Sequence, residues 1–276
     1  MRKVVSKGWA LLNSTHPIPS LAVATFVTLF SMGIGTTLGR SFLIGFTVLL
    51  QQFSVGLSND WLDYKRDLAS SRKDKPAVRG LISAAAIRNA SLAAAVSAQA
   101  VAFVFGWQAA LIMTLMLLAG WSYNLGMKSN WSSFVPYAVG FGLLPIFAGL
   151  SAEDAFGVPG WVIAAAALLG VSAHFANALP DMFDDQKTGV RALPHLLGQR
   201  VSSGVISATA LVATVLIVAQ SENLPLLFAT TGLIATIALV GAASFLSLRK
   251  RPPRAVFTLL LAASFVNVLL LMLGAG

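Results

Sequence analysis

Asp60, Asp63 and Asp67 stand at i, i+3 and i+7 in NDWLDYKRDLASSRKDKPAVRG, residues 59–80, where a long apolar run gives way to charge. On a continuing helix the three carboxylates share one face, with Asn59 one turn before Asp63. Carboxylates stacked that way repel one another and persist only with positive charge among them. A hard divalent cation such as Mg²⁺ suits these oxygens and commonly shares them with the phosphates of a substrate. Arg72, Lys73 and Lys75 follow closely and supply donors for a phosphate group.

An echo lies 118 residues further on: Asn177, Asp181, Asp185, Arg191, Pro194 and Gly198 repeat the register of Asn59, Asp63, Asp67, Lys73, Pro76 and Gly80. Six positions in one register suggest a single domain, 1–276, with two halves on one plan, roughly 1–125 and 126–276. Asp184 completes a second acidic cluster, and Lys187 and Arg191 bring cations beside it. Tyr123 and Lys128, in GWSYNLGMKSNW, offer a phenol and an ammonium to orient a departing anion, although such residues are also ordinary membrane anchors. Trp121 and Trp131 read as interfacial belt residues. His16 opens the first apolar run beside Pro17 and reads as a headgroup-layer residue, with contact to a phosphate as the alternative. His174 reads as a packed mid-span histidine, with a place beside an acceptor pocket as the alternative, and His195 as a solvated loop residue.

The elements that must position these groups cross a membrane. With 57% apolar and 11% charged residues and a mean hydropathy of +0.79, the chain lies far from soluble domains, in which about a quarter of residues are charged. Apolar runs fall at 17–38, 41–58, 83–105, 107–125, 132–151, 158–178, 199–220, 223–247 and 254–275, each close to the roughly 20 residues a spanning helix needs. The expectation is an all-α bundle of nine transmembrane helices around a central cavity, with the two acidic motifs on cytoplasmic loops. A barrel is excluded by the absence of alternating segments. Nearly every Lys and Arg precedes the first run or follows an even-numbered one, leaving Arg40 alone on the other side. By the positive-inside rule the N-terminus and the acidic loops are cytoplasmic and the C-terminus is outside, in an expected bacterial cell membrane. The net charge of +9 therefore reflects topology and contact with lipid, not nucleic acid. No cysteine is present, which removes thiolate chemistry and disulfides. The basic then apolar N-terminus reads as a retained span.

Two opposed acidic clusters flanked by Arg and Lys, above helices able to enclose an apolar cavity, suit a ligand with a diphosphate head and a greasy tail. A prenyl diphosphate is such a molecule. Metal-held charge eases departure of the diphosphate, and an intramembrane chamber keeps water from the allyl cation left behind.

NDWLDYKRD with the following RKDKP, and DMFDDQKTGVRALP with Gly198 after it, resemble the two aspartate-rich motifs of the UbiA-type intramembrane prenyltransferases. The resemblance covers almost the whole chain. It implies Mg²⁺-dependent transfer of a prenyl group from a prenyl diphosphate, usually to carbon of an aromatic acceptor such as a 4-hydroxybenzoate or dihydroxynaphthoate quinone precursor. Carried onto matching positions, Asn59, Asp60, Asp63, Asp67, Asp181 and Asp185 would hold metal and diphosphate, and Asp184 fits the DxxDD form of the second motif. Tyr123 and Lys128 resemble the family's Tyr/Lys pair, one residue further apart, and His16 stands where many aromatic prenyltransferases carry Arg.

Within the same fold the acceptor could be a glycerol phosphate, a ribosyl phosphate or a porphyrin, or the reaction a terpene cyclisation. A cation-coupled transporter also has duplicated halves with intramembrane acids, but places them near the midplane on broken helices. A CDP-alcohol phosphotransferase would need a DGxxAR run, which is absent.

Overall fold

A computed structural model describes residues 2–70, 72, 74–180, 182, 191–250 and 252–274, without the side chains of residues 2–6. Asp181, Asp184, Asp185, Lys187 and Lys73 lie outside the described residues.

All regular structure among the described residues is helical. Helices α1 (Arg2–Ser14), α2 (Pro17–Gly33), α3 (Leu38–Leu62), α4 (Tyr64–Ala69), α5 (Ala84–Val104) and α6 (Trp107–Leu125) make the first half. A 3₁₀ turn, Met127–Ser129, leads to α7 (Val135–Ser151), α8 (Gly160–Ala178), α9 (Leu193–Gln220), α10 (Leu226–Ser247) and α11 (Ala255–Gly274). A helix therefore occupies each apolar run. Seven of the described helices are long and apolar enough to cross a membrane, and an eighth span results if α2 is counted with α1, bent from it by 59°. The 17-residue α7 is the shorter apolar helix. The N-terminal helix α1 is additional to the expected spans, because its basic residues look in the sequence like a flank of the first apolar run.

Each long helix packs on its neighbour in sequence, α3 also touches α6, and α11 returns to α2 and α8, so the helices close a ring. Lipid is as apolar as Leu, so contact between such helices depends on close packing. At Gly170 a Cβ would lie 2.6 Å from the Tyr137 carbonyl oxygen; only a hydrogen there lets α8 come so close to α7. The two halves pair their helices alike: α2 on α3 and α3 on α5 in the first, α7 on α8 and α8 on α9 in the second. Gly80 and Gly198, equivalent in the sequence echo, both adopt left-handed backbone, φ 69° and 77°, which costs glycine little. Gly198 kinks α9, so its long arm begins where the apolar run at 199 begins.

At the end remote from the acidic motif, Arg40 Nε donates to the Ser151 carbonyl at 2.6 Å and its guanidinium lies 5.3 Å from the Phe105 ring centre. Thr37 Oγ1 donates to Glu153 beside it at 2.5 Å. These contacts pin the start of α3 to the end of α7.

Candidate active site

The helix carrying the first acidic motif does not run on unbroken. It ends at Leu62, and α4 starts at Tyr64, with Asp63 at the joint. The register survives, because Asp63 N–H donates to Asn59 O at 3.0 Å and Asp67 N–H to Asp63 O at 2.8 Å. The carboxylates therefore stay one turn apart, and all three are buried: Asp60 is 4%, Asp63 9% and Asp67 3% exposed.

Each finds a different environment. Asp60 Oδ1 accepts from Lys75 Nζ at 2.6 Å, and His16 Nε2 lies 3.0 Å from the same oxygen. His16 is thus an acid partner at the start of α2, held there in left-handed backbone, φ 51°, and not a free headgroup-layer residue. Asp63 receives Lys128 Nζ on both oxygens, each at 2.6 Å, and Arg66 Nη2 at 2.8 Å. No described hydrogen bond ends on the Asp67 carboxylate. Burial pushes the Asp67 carboxyl above its usual range, opposed by the Lys75 charge. Burial likewise lowers the Lys128 ammonium, with Asp63 pulling it back. A buried acid with no hydrogen-bonded cation among the described residues, one turn from an acid gripped by lysine, is a place where a further cation would be favoured. Among the described residues, no three of Asp, Glu and His form a metal-holding group on their own, since Asp60 and Asp63 turn to separate cations.

Arg72, expected as a phosphate donor, pairs with Asp74 at 2.9 Å, and that pairing lowers the Asp74 carboxyl. Arg191 is exposed. Asn59 Nδ2 donates to Asn124 Oδ1 at 3.1 Å, while Asn124 Nδ2 donates to Val55 O and Ser58 Oγ at 2.8 and 2.7 Å. Asn124 thus locks α6 to α3 and leaves the Asn59 carbonyl for a ligand. Sequence reading missed it, although an asparagine inside an apolar helix next to Tyr123 was the available signal. Trp121 is not a belt residue: its Nε1 donates to Ser54 Oγ at 3.1 Å and its ring meets Trp61 edge-on. Trp131 is 68% exposed. His195 lies in α9 and is half-buried, not solvated on a loop.

Tyr123 contributes to a second group. Its ring lies 5.3 Å from Tyr137 and 5.8 Å from His174, and Tyr137 is 4.9 Å from His174, centre to centre. Tyr137 is hydrogen-bonded to both Asn177 and Tyr123. Asn177 is exposed and the two tyrosines are half-buried, whereas His174 is fully buried. The ends of α3, α6 and α8 thus set acids, cations and phenols at one end of the bundle. A separate 390 Å³ pocket lined by Phe30, Ile34, Trp161, Val162 and Leu271 lies at the opposite end, away from these groups.

Comparison with known proteins agrees with this architecture. No curated protein sequence matches the chain. Among solved structures, a UbiA homologue from Aeropyrum pernix K1 superposes with a TM-score of 0.74 at 19% identity, covering 90% of this chain and 94% of that one. A UbiA homologue from Archaeoglobus fulgidus, solved bound to DMAPP and Mg²⁺, gives 0.72 at 18% identity over 96% and 97%. A structure described as digeranylgeranylglyceryl phosphate synthase gives 0.64 at 18% over 100% and 99%. The family model of the UbiA prenyltransferases matches residues 18–269, nearly the whole bundle just described, and the chain belongs to the UbiA prenyltransferase family.

Proposed function

We propose that this chain transfers a prenyl group from a prenyl diphosphate to a lipophilic aromatic acceptor of the quinone-precursor class, with Mg²⁺ as cofactor. The observation that carries the reading is the buried acidic face on which Lys128 grips Asp63 and on which, among the described residues, no cation is hydrogen-bonded to Asp67. In this reading the single domain has nine spans in two related halves, with the N-terminus and the acidic loops in the cytoplasm and the C-terminus outside. Asn59, Asp60, Asp63 and Asp67, with Asp181, Asp184 and Asp185, hold the metal. Lys75, Lys128 and Tyr123, with Arg72, Lys73, Lys187 and Arg191, receive the diphosphate. The donor set fits a hard cation, because it is all oxygen and mostly carboxylate.

Bound Mg²⁺ would supply positive charge to the departing diphosphate. The chain's own groups do the rest. Lys128 and Lys75 present ammoniums to the diphosphate oxygens at the mouth, fixing the head while the apolar helices take the tail. The allylic carbon–oxygen bond breaks with its electron pair leaving on the diphosphate. The electron-rich acceptor carbon then bonds to the allyl cation and gives up its ring proton to the released diphosphate. Apolar walls keep water from the cation in the interval.

The deciding experiment gives purified protein geranyl diphosphate, Mg²⁺ and a panel of acceptors, with products read by mass spectrometry. The panel includes a glycerol phosphate lipid, since one structural neighbour is named for such a compound. Prenylated aromatic product is expected, and is lost with EDTA. Normal transfer in EDTA, or with Asp63→Asn and Asp181→Asn combined, would end this reading.

A further inference from the structure

His174 takes no part in holding metal or diphosphate, yet it lies at the crossing of three functional segments. It is fully buried on α8, and its ring meets Tyr123 of α6 and Tyr137 of α7. Its Nε2 lies 3.0 Å from Ser133 Oγ. Ser133 belongs to the connection that follows Lys128, and its oxygen also accepts the backbone N–H of Leu193 at 2.9 Å. Leu193 opens α9, directly after the segment that carries the second acidic motif.

The hydrogen bonds fix which ring nitrogen carries the proton. Ser133 is fully buried and its oxygen already receives the Leu193 N–H, so its own hydroxyl proton needs an acceptor. Nε2 of His174 is the acceptor at hand, which places the ring proton on Nδ1. That atom is buried with no hydrogen-bond partner among the described residues, near the rings of Tyr137, Tyr123 and Phe175. The opposite tautomer would strand two groups, the serine hydroxyl proton and a bare nitrogen lone pair, in an apolar setting. An N–H facing aromatic rings is the milder outcome.

We propose that His174 is a positioning residue for the prenyl-transfer site: as the Nδ1-protonated imidazole, braced by Ser133, it sets Tyr123 and Tyr137 as an aromatic wall beside the reacting prenyl group. The proposal rests on the functional reading above. Both tyrosines are half-buried while His174 is fully buried, and Asn177, hydrogen-bonded to Tyr137, is exposed at the end of α8. Tyrosine faces attract a cation by their ring quadrupoles, so a wall held at the right angle favours formation of the allyl cation more than binding of the intact diphosphate.

The test uses geranyl diphosphate with Mg²⁺ and the acceptor panel above, with diphosphate release in the presence of acceptor and geranyl diphosphate binding measured separately on the full-length protein. His174→Phe keeps an aromatic ring and removes the acceptor for Ser133; Ser133→Ala removes the donor. Each is expected to slow diphosphate release about tenfold while leaving the dissociation constant for geranyl diphosphate within about twofold. The double variant is expected to be no slower than either single one. His174→Gln, whose amide oxygen can accept from Ser133, should recover most of the rate. An unchanged rate in His174→Phe, a roughly hundredfold loss in the double variant, or a loss confined to binding would overturn the proposal. The tautomer is read independently of activity by ¹⁵N NMR of the three histidines, assigned by substitution. Nδ1–H at His174, relaxing to a mixture in Ser133→Ala, is expected, and Nε2–H in the wild type refutes the brace. A folded wild type that binds geranyl diphosphate but never releases diphosphate overturns the prenyl-transfer reading instead, and the NMR result still decides the brace.

Discussion

Replacing Lys128 by Met tests how the acidic face is held when no metal is present. Lys128 is 8% and Asp63 9% exposed, and both Asp63 oxygens take Lys128 Nζ at 2.6 Å. Stripping one partner from a buried pair costs about 3–5 kcal/mol. Arg66 stays on Asp63 at 2.8 Å, with about a third of its side chain exposed, and recovers part of that, leaving a loss of about 2 kcal/mol after allowance for solvent screening. For a chain of this size class that is a fall of about 4–8 °C in the melting temperature. Thermal unfolding in detergent with EDTA would measure it, alongside Asp63→Asn and the double variant. The loss in the double variant should be about 2 kcal/mol smaller than the sum of the single losses, because it removes both halves of one pair. Additive losses, or a Lys128→Met protein that melts with the wild type, would show that the pair carries none of the site's stability. Turnover should fall about a hundredfold in Lys128→Met, equivalent to about 2.7 kcal/mol of barrier.

Other outcomes follow from the same geometry. Since burial raises the Asp67 carboxyl and a metal takes only its ionised form, protonation weakens Mg²⁺-dependent binding of geranyl diphosphate as pH falls through that raised pKa. Asp67→Asn should flatten the profile measured by titration calorimetry. Gly80→Ala and Gly198→Ala each force a side chain into left-handed backbone and should each cost about 1–2 kcal/mol in thermal unfolding. Arg40→Gln removes the far-end bond to Ser151 and should lower the melting temperature while geranyl diphosphate turnover stays within about twofold. Asn124→Leu unpins Asn59, and its apparent Mg²⁺ affinity should drop about tenfold.

Much of this architecture was legible in one dimension. Apolar runs located the long helices because a segment in lipid must satisfy its own backbone, and acids at i, i+3 and i+7 kept their register because hydrogen bonding carries across the joint at Asp63. The partners of those acids were not legible. Lys75 reaches back 15 residues to Asp60 and Lys128 reaches 65 to Asp63, distances set by how helices pack and not by local pattern. Trp121 and His195 depart from expectation for a shared reason: a ring near a helix end reads as interfacial, and a histidine after Pro194 as a solvated loop residue, until the neighbouring helix is known. Tyr137 and Ser133 drew no notice in the sequence. Each is one polar group on an apolar background, and each acquires meaning only through contact with His174.

Lys75 and Lys128 are already engaged, one by Asp60 and one by Asp63. An arriving anion that recruits these two ammoniums takes a lysine from each of two aspartates, leaving Asp63 only Arg66 and Asp60 only His16; an arriving cation that recruits the aspartates does the reverse to the lysines. Either guest alone leaves buried charge under-compensated, whereas the two together restore neutrality. Loading of such a site is therefore synergistic, each guest tightening the grip on the other by the same factor.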